Sequence, residues 1–183
     1  MTVIKLGGSL LSAGVLPRCL DRIAHYPGKV LIVPGGGVFA DQVRHAQKDW
    51  GFDDIAAHRM AILAMQQMAL LFNSLKPDFA IFDRASKPCQ ITKPAIWSPD
   101  IQELDNAGIA ANWEITSDSL AAWLAGQVAA NELLLVKSCP LDEDSSLHDL
   151  QQLNILDAGF LKITESACFK ITLMNKDRFL TLA

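Results

Sequence analysis

Two short apolar runs, each ending in a glycine cluster, constrain the fold of this chain more than any other feature. Residues 3–9 read Val-Ile-Lys-Leu-Gly-Gly-Ser, and residues 29–37 read Lys-Val-Leu-Ile-Val-Pro-Gly-Gly-Gly. β-Branched apolar runs of this length suit buried strands. Glycines without a Cβ free the backbone for tight turns and let an anion approach the amides. After the second cluster, Phe39, Val43, Ala46 and Trp50 recur at helical spacing. Pro17 to Tyr26 reads as a helix with proline in its first turn. The chain therefore makes strand, glycine turn and helix twice within 50 residues. Each turn would set amides at the carboxyl end of a strand, where open α/β sheets bind ligands.

The rest of the pattern continues this alternation. Asp53 to Leu75 is the longest helical stretch, with Ile62, Met65, Ala69 and Phe72 in a stripe. Met60, Met65 and Met68 read as core or dimer packing. Phe79–Phe82 reads as a short buried strand. Residues 84–112 are broken by proline and glycine and are expected to form loops and a hairpin that shape a substrate pocket, with Ile91, Ile96 and Trp97 in short extended pieces. A helix follows Thr116, with Leu120, Trp123, Leu124 and Val128 in phase. Leu133–Val136 is the next buried strand, 138–149 is polar and loop-like, 150–166 is helical, and Phe169–Met174 with Phe179–Leu182 suggests a terminal hairpin. The expected class is α/β: a three-layer α/β/α arrangement with a mainly parallel central sheet.

Composition removes several functions. The formal charge is −4 and basic residues do not cluster, which argues against nucleic-acid binding. No apolar run reaches membrane-spanning length without a polar break, and nothing at the start reads as a secretion signal, so a cytoplasmic protein is expected. Cys19, Cys89, Cys139 and Cys168 lack CxxC spacing and read as free thiols. His25, His45, His58 and His148 lack metal spacing, so no protein metal site is expected.

The residues able to do chemistry lie near the glycine turns. Lys5 would add a full charge to the amides of Gly7 and Gly8. Lys137 ends a central strand, where it would meet a ligand. Thr116-Ser117-Asp118-Ser119 opens a helix, so Asp118 either caps that helix or orients lysines around a transferring phosphoryl group. Gly35-x-Gly37-x-x-Ala40, with Asp53 and Asp54 about 20 residues on, also fits a Rossmann dinucleotide fingerprint. The first glycine turn weighs against that oxidoreductase, because phosphoryl transfer needs both a donor and an acceptor site.

Together these segments resemble the amino acid kinase superfamily, which includes acetylglutamate, aspartate, carbamate, uridylate and isopentenyl phosphate kinases. Lys-Leu-Gly-Gly-Ser, Val-Pro-Gly-Gly-Gly and Ser-Asp-Ser-Leu-Ala-Ala match its three signatures in order over residues 1–137. The resemblance implies an amino acid kinase-like, carbamate kinase-like fold as one domain over 1–183. Residues 1–137 would bind acceptor and phosphate, and 138–183 would be a shortened nucleotide-binding part. It implies a kinase using ATP and Mg2+, with the ion held by the nucleotide, a small-molecule acceptor and a homodimer. Lys5 would stabilise the transferred group, Gly7, Gly8 and Ser9 would face the nucleotide phosphates, and Asp118 would organise the lysines. Gly35, Gly36 and Gly37 would bind the acceptor, with Trp113, Thr116 and Ser117 beside it. Residues 113–125 and the following Leu-Leu-Val-Lys-Ser look most like the small-kinase branch of methanofuran biosynthesis, which acts on an aminomethyl-furanmethyl phosphate.

The chain departs from the superfamily where Val136-Lys137-Ser138-Cys139-Pro140-Leu141-Asp142 replaces a Thr-Asp-Val-Asp-Gly motif. It also lacks a Gly-Gly-Met-x-x-Lys element, for which Lys137, or less directly Lys162, would substitute. The second reading, of a different class, is a non-catalytic kinase-like binding or scaffold subunit.

Overall fold

The first apolar run becomes β1 (Thr2–Leu6) and the second becomes β2 (Val30–Pro34), paired in parallel with Lys5 opposite Val33. Both are buried along nearly their whole length, as strands covered on two faces must be. The structure is a computed structural model that describes residues 1–85, 92–142 and 145–182. Among these, six strands form one sheet, all parallel, in the order β3-β4-β2-β1-β5-β6, where β3 is Ala80–Phe82, β4 Ala95–Trp97, β5 Glu132–Lys137 and β6 Lys170–Asn175.

Helices cover both faces. One apolar layer gathers Leu10, Leu20, Ile23, Met68 and Phe72 against Ile4, Ile32 and Leu134. The other gathers Ile62, Trp97, Leu120, Leu124 and Phe160 against Val3, Val33 and Leu135. The alternating side chains of β1 thus feed two separate cores. After the first glycine turn come α1 (Ser9–Ser12) and α2 (Leu16–Ala24), and after the second α3 (Gly37–Trp50), which Gly51 ends in the left-handed conformation at φ +66°. The long helix α4 (Asp54–Leu75) starts where the Asp53 carboxylate accepts a hydrogen bond from the Ala56 amide, 2.7 Å away. Its length and composition would suffice to cross a membrane, yet eight of its residues are buried in the protein interior.

Four segments differ from the sequence reading. The described residues of the 84–112 segment do not form a hairpin. Ala95-Ile96-Trp97 is an interior parallel strand between β2 and β3, followed by α5 (Ile101–Asn106); Ile91 lies outside the described residues. Three residues are too few to show periodicity, and only their neighbours make them a strand. The Phe79–Phe82 strand begins one residue later and forms the sheet edge, so Ala80 and Ile81 are exposed. The terminal hairpin is absent: β6 pairs in parallel with β5 and runs into α9 (Lys176–Thr181), capped by Asn175. Residues 150–166 hold two short helices, α7 (Leu147–Gln152) and α8 (Phe160–Thr164), instead of one.

The sheet order places the ligand edge. From β1 the chain adds β2, sets β3 at the sheet edge and inserts β4 between β3 and β2, then crosses back to lay β5 on the other side of β1. That reversal, between β1 and β5, is where open α/β sheets form their binding crevice.

Candidate active site

Lys5 on β1 and Lys137 at the end of β5 stand on either side of this reversal. Between them projects Asp118, from the first turn of α6 (Ser117–Gln127). Lys5 Nζ lies 2.7 Å from Asp118 Oδ1 and Lys137 Nζ lies 2.6 Å from Oδ2. Lys5 and Asp118 are only 5% and 3% exposed, so these charges are removed from water. Two ammoniums share one carboxylate, leaving a net positive charge at the crevice.

The electrostatics follow from this crowding. Burial alone would raise the Asp118 carboxyl, but the ammoniums of Lys5 and Lys137 outweigh it and hold Asp118 below its ordinary value. Lys137 is pushed below the usual lysine value, first by burial and then by the neighbouring Lys5 charge, against the pull of Asp118. Lys137 also donates to the Ile155 carbonyl at 2.5 Å, which fixes the direction of its chain.

Asp118 does not cap its own helix. Thr116 is the N-cap and has no side-chain capping bond. The cap comes from Asp157, distant in sequence. Its Oδ2 accepts from the amides of Thr116 at 3.0 Å and Ser119 at 2.9 Å, and its Oδ1 accepts from the Thr116 hydroxyl at 2.5 Å. The loop that carries Ile155 and Asp157 therefore grips both the helix presenting Asp118 and the lysine it binds. Sequence inspection missed Asp157, because no local pattern links it to a helix start 41 residues earlier.

The two glycine turns touch. A Cβ on Gly8 would overlap the Gly37 backbone, and one on Gly35 would lie 3.0 Å from the Gly8 amide nitrogen. The Gly35 amide also donates to Leu6 O at 2.8 Å. Gly37 adopts φ +55°, open to few residues other than glycine. On the other side, Ser138 Oγ donates to Ser9 Oγ at 2.8 Å, joining the first turn to the end of β5.

Above the turns opens a cavity of about 320 Å³. Gly8, Ser9, Gly35, Gly36, Gly37, Trp113, Thr116 and Ser117 line it, together with Asp41, Arg44 and the α4 residues His58, Ile62 and Met65. Gly7, Lys5, Asp118 and Lys137 are not on its wall. A Cβ on Gly7 would sit 3.5 Å from Lys5 Nζ, so that ammonium lies against the first turn. The Arg44 guanidinium stacks 3.7 Å from the centre of the Trp113 ring, whose Nε1 donates to Gln47 Oε1 at 2.6 Å. Trp97 does not reach the cavity; it is fully buried against Trp123. Lys162 is exposed on α8 and is not an Asp118 partner among the described residues. A second, larger cleft of about 590 Å³ lies between β6 and the α7 segment, with Leu147, Leu150, Ile171 and Leu173 in its apolar lining and Ser145, Ser146 and Asn175 among its polar groups.

The chain is 29% identical over 140 residues to the [5-(aminomethyl)furan-3-yl]methyl phosphate kinase of Methanocaldococcus jannaschii, a match spanning 74% of this chain and 64% of that relative. Among solved structures, uridylate kinase from Archaeoglobus fulgidus superposes with a TM-score of 0.70 at 17% identity, over 98% of this chain and 93% of that one. Aspartate kinase from Synechocystis superposes with a TM-score of 0.68 at 13% identity, over 95% of this chain and 37% of the other. With residues 1–158 matching the model of the amino acid kinase family, the chain belongs to that family.

Proposed function

We propose that this protein is a cytosolic, ATP-dependent phosphotransferase acting on a small phosphorylated acceptor. The observation that carries the reading is the buried Lys5–Asp118–Lys137 cluster at the sheet reversal, next to two abutting glycine turns. An oxygen of the acceptor's phosphate attacks the γ-phosphorus as the bond to the ADP oxygen breaks. That oxygen is already ionised, so no general base is required. Charge then builds on the oxygens of the moving group, and preorganised ammoniums in a dry site stabilise it. Asp118 keeps both lysines in place without quenching them, because their summed charge exceeds its own.

The two cavities divide the substrates. The cavity over Gly35, Gly36 and Gly37, with Trp113, Thr116, Ser117 and the Arg44 cation, suits the acceptor. The cleft between α7 and β6 offers an apolar seat for a base and polar groups beside it. The nucleotide's phosphates would meet the amides of Gly7, Gly8 and Ser9, of which Gly8 and Ser9 also line the acceptor cavity. Mg2+ would arrive on those phosphates; among the described residues no group of three or more His, Cys, Asp or Glu side chains is placed to hold a metal ion. The relative's name supports [5-(aminomethyl)furan-3-yl]methyl phosphate as the acceptor, with a diphosphate product. The cytosolic assignment is in keeping with the free thiols of Cys19, Cys139 and Cys168. Burial pushes the Cys19 thiol up to about 11, which leaves it unreactive.

Incubation with Mg-ATP and that acceptor should release ADP, and Lys5→Ala should reduce turnover by roughly 10²–10³-fold, the usual effect of removing one donor to a developing charge. A rate unchanged in Lys5→Ala would refute the role given to Lys5. No ADP with any small phosphate acceptor, together with no binding of an ATP analogue at millimolar concentration, would favour a non-catalytic binding subunit.

The surface of α4 supports a homodimer. Residues 60–75 contain no charged side chain, and Met60, Leu63 and Leu70 are exposed along them. Sedimentation should give twice the mass of the chain; a single protomer at micromolar concentration would count against it.

A further inference from the structure

The first turn of α6 is held in a way that its own sequence did not require. Thr116 stands at the N-cap, where a threonine hydroxyl ordinarily accepts from an amide within the first turn. Instead that hydroxyl donates to Asp157 Oδ1 at 2.5 Å, and Asp157 Oδ2 takes the amides of Thr116 at 3.0 Å and Ser119 at 2.9 Å. A helix that needed only a cap had one in place. Asp118 lies between the two residues whose amides Asp157 holds, so Asp157 fixes the backbone from which the Asp118 side chain departs.

The segment that carries Asp157 is itself anchored. Gln151 of α7 donates from Nε2 to the Asp157 carbonyl at 3.3 Å and to the Ala158 carbonyl. The Gly159 amide donates to Glu114 O at 2.8 Å, and a Cβ on Gly159 would overlap Ile115, so the segment packs directly on the residues leading into α6. Two residues before Asp157, the Ile155 carbonyl accepts from Lys137 Nζ. One short segment thus sets Asp118, through the amides beside it, and Lys137, through its ammonium. Among the described residues, three charges bear on Lys137. Lys5 on β1 disfavours its ammonium, while Asp118 on α6 and Asp157 favour it.

We infer that Asp157 is a positioning residue for phosphoryl transfer, locking the first turn of α6 to the 155–159 segment so that Asp118 and Lys137 meet in one geometry. This rests on the phosphotransferase reading made above. Asp157 lines neither cavity, so its loss should weaken the reaction step far more than the binding of nucleotide.

Three variants test this. Asp157→Asn keeps the size and removes the charge. Asp157→Glu keeps the carboxylate and adds a methylene. Asp100→Ala removes another carboxylate cap, 2.8 Å from the Glu103 amide, from a helix that bears no member of the cluster. In Asp157→Asn kcat should fall about 10–100-fold with KM for ATP little changed, the scale of effect that misplaced reacting groups produce. It should recover in part in Asp157→Glu and stay at the wild-type value in Asp100→Ala. A residue that only packed would give the reverse order at 157, since asparagine fits where aspartate does and glutamate does not. In ¹³C-lysine-labelled protein, the Lys137 ¹³Cε titration should move to lower pH in Asp157→Asn and stay in place in Asp100→Ala. A wild-type kcat in Asp157→Asn, a larger loss in Asp157→Glu, an equal loss in Asp100→Ala, or a Lys137 titration unmoved by Asp157→Asn would each overturn the inference. Should Asp157→Asn not fold, Thr116→Val decides, because it preserves shape and charge and removes one of the three bonds. A several-fold fall in kcat at saturating acceptor supports the inference, and an unchanged kcat overturns it. If the wild-type protein releases no ADP, the kinase assignment fails, and the Lys137 titration alone decides whether Asp157 holds the cluster.

Discussion

Asp118→Asn should destabilise this protein by about 3–5 kcal/mol, the usual cost of removing one partner from a buried charge group. The substitution preserves shape and removes only the charge. Lys5 and Lys137 would then sit on either side of a neutral amide, both buried, each raising the cost of the other. For a chain of this size that is a fall in melting temperature of about 10 °C or more. Turnover should be lost as well, since neither lysine keeps its position. An unchanged melting temperature would show that the cluster is better solvated than its burial implies. The pH dependence gives a second check. Asp118 has a folded-state value below the ordinary one, so its contribution is complete above the unfolded value of about 3.9 and declines as pH falls through the lower folded value. The gap between wild type and Asp118→Asn should therefore stay constant from neutrality to about pH 4 and narrow only below it.

Gly8→Ala should be nearly as damaging, for a steric reason. Its Cβ would occupy the space of the Gly37 backbone, and no rotamer can relieve a clash between a Cβ and a main chain. The turns must separate, straining the Gly35–Leu6 hydrogen bond. Overpacking of this kind costs about 1–3 kcal/mol. The larger effect should be on turnover, because displacing reacting groups by about 1 Å can cost on the order of 10²-fold. Gly126→Ala is the control. Gly126 lies inside α6, where a Cβ meets nothing within 4 Å, so that variant should gain up to about 1 kcal/mol. Circular dichroism melts and steady-state rates on the pair separate a general intolerance of alanine from the specific contact. If Gly8→Ala matches wild type in both, the turns do not abut as described.

How much of this was legible in the sequence depended on whether the signal was local. β1, β2 and their glycine turns were legible, because strand pattern and turn chemistry lie within nine residues of each other in each case. Lys5, Asp118 and Lys137 could be singled out one by one, but their joining within 2.7 Å is a product of strand order. The interior strand β4 was hidden by its three-residue length and by Pro94 just before it. Asn175-x-Asp177 was an available helix-start signal for α9, obscured by the apolar Phe179-Leu180 that reads equally well as a strand. Asp157 was illegible because it acts on a segment more than 35 residues away, through a single side chain that leaves no periodic trace.

The position of β1 also sets a schedule for synthesis. Its partner on one edge, β2, follows within 34 residues, but the strand covering its other edge is not complete until Lys137. A nascent chain that has emerged only as far as α5 can already pair β1 with β2, yet it carries in its middle an unpaired, apolar strand edge of the kind that seeds aggregation. The same chain holds Lys5 without its counter-charge, since Asp118 has not yet been made. Closure of the open edge and pairing of that lysine therefore both come late in synthesis.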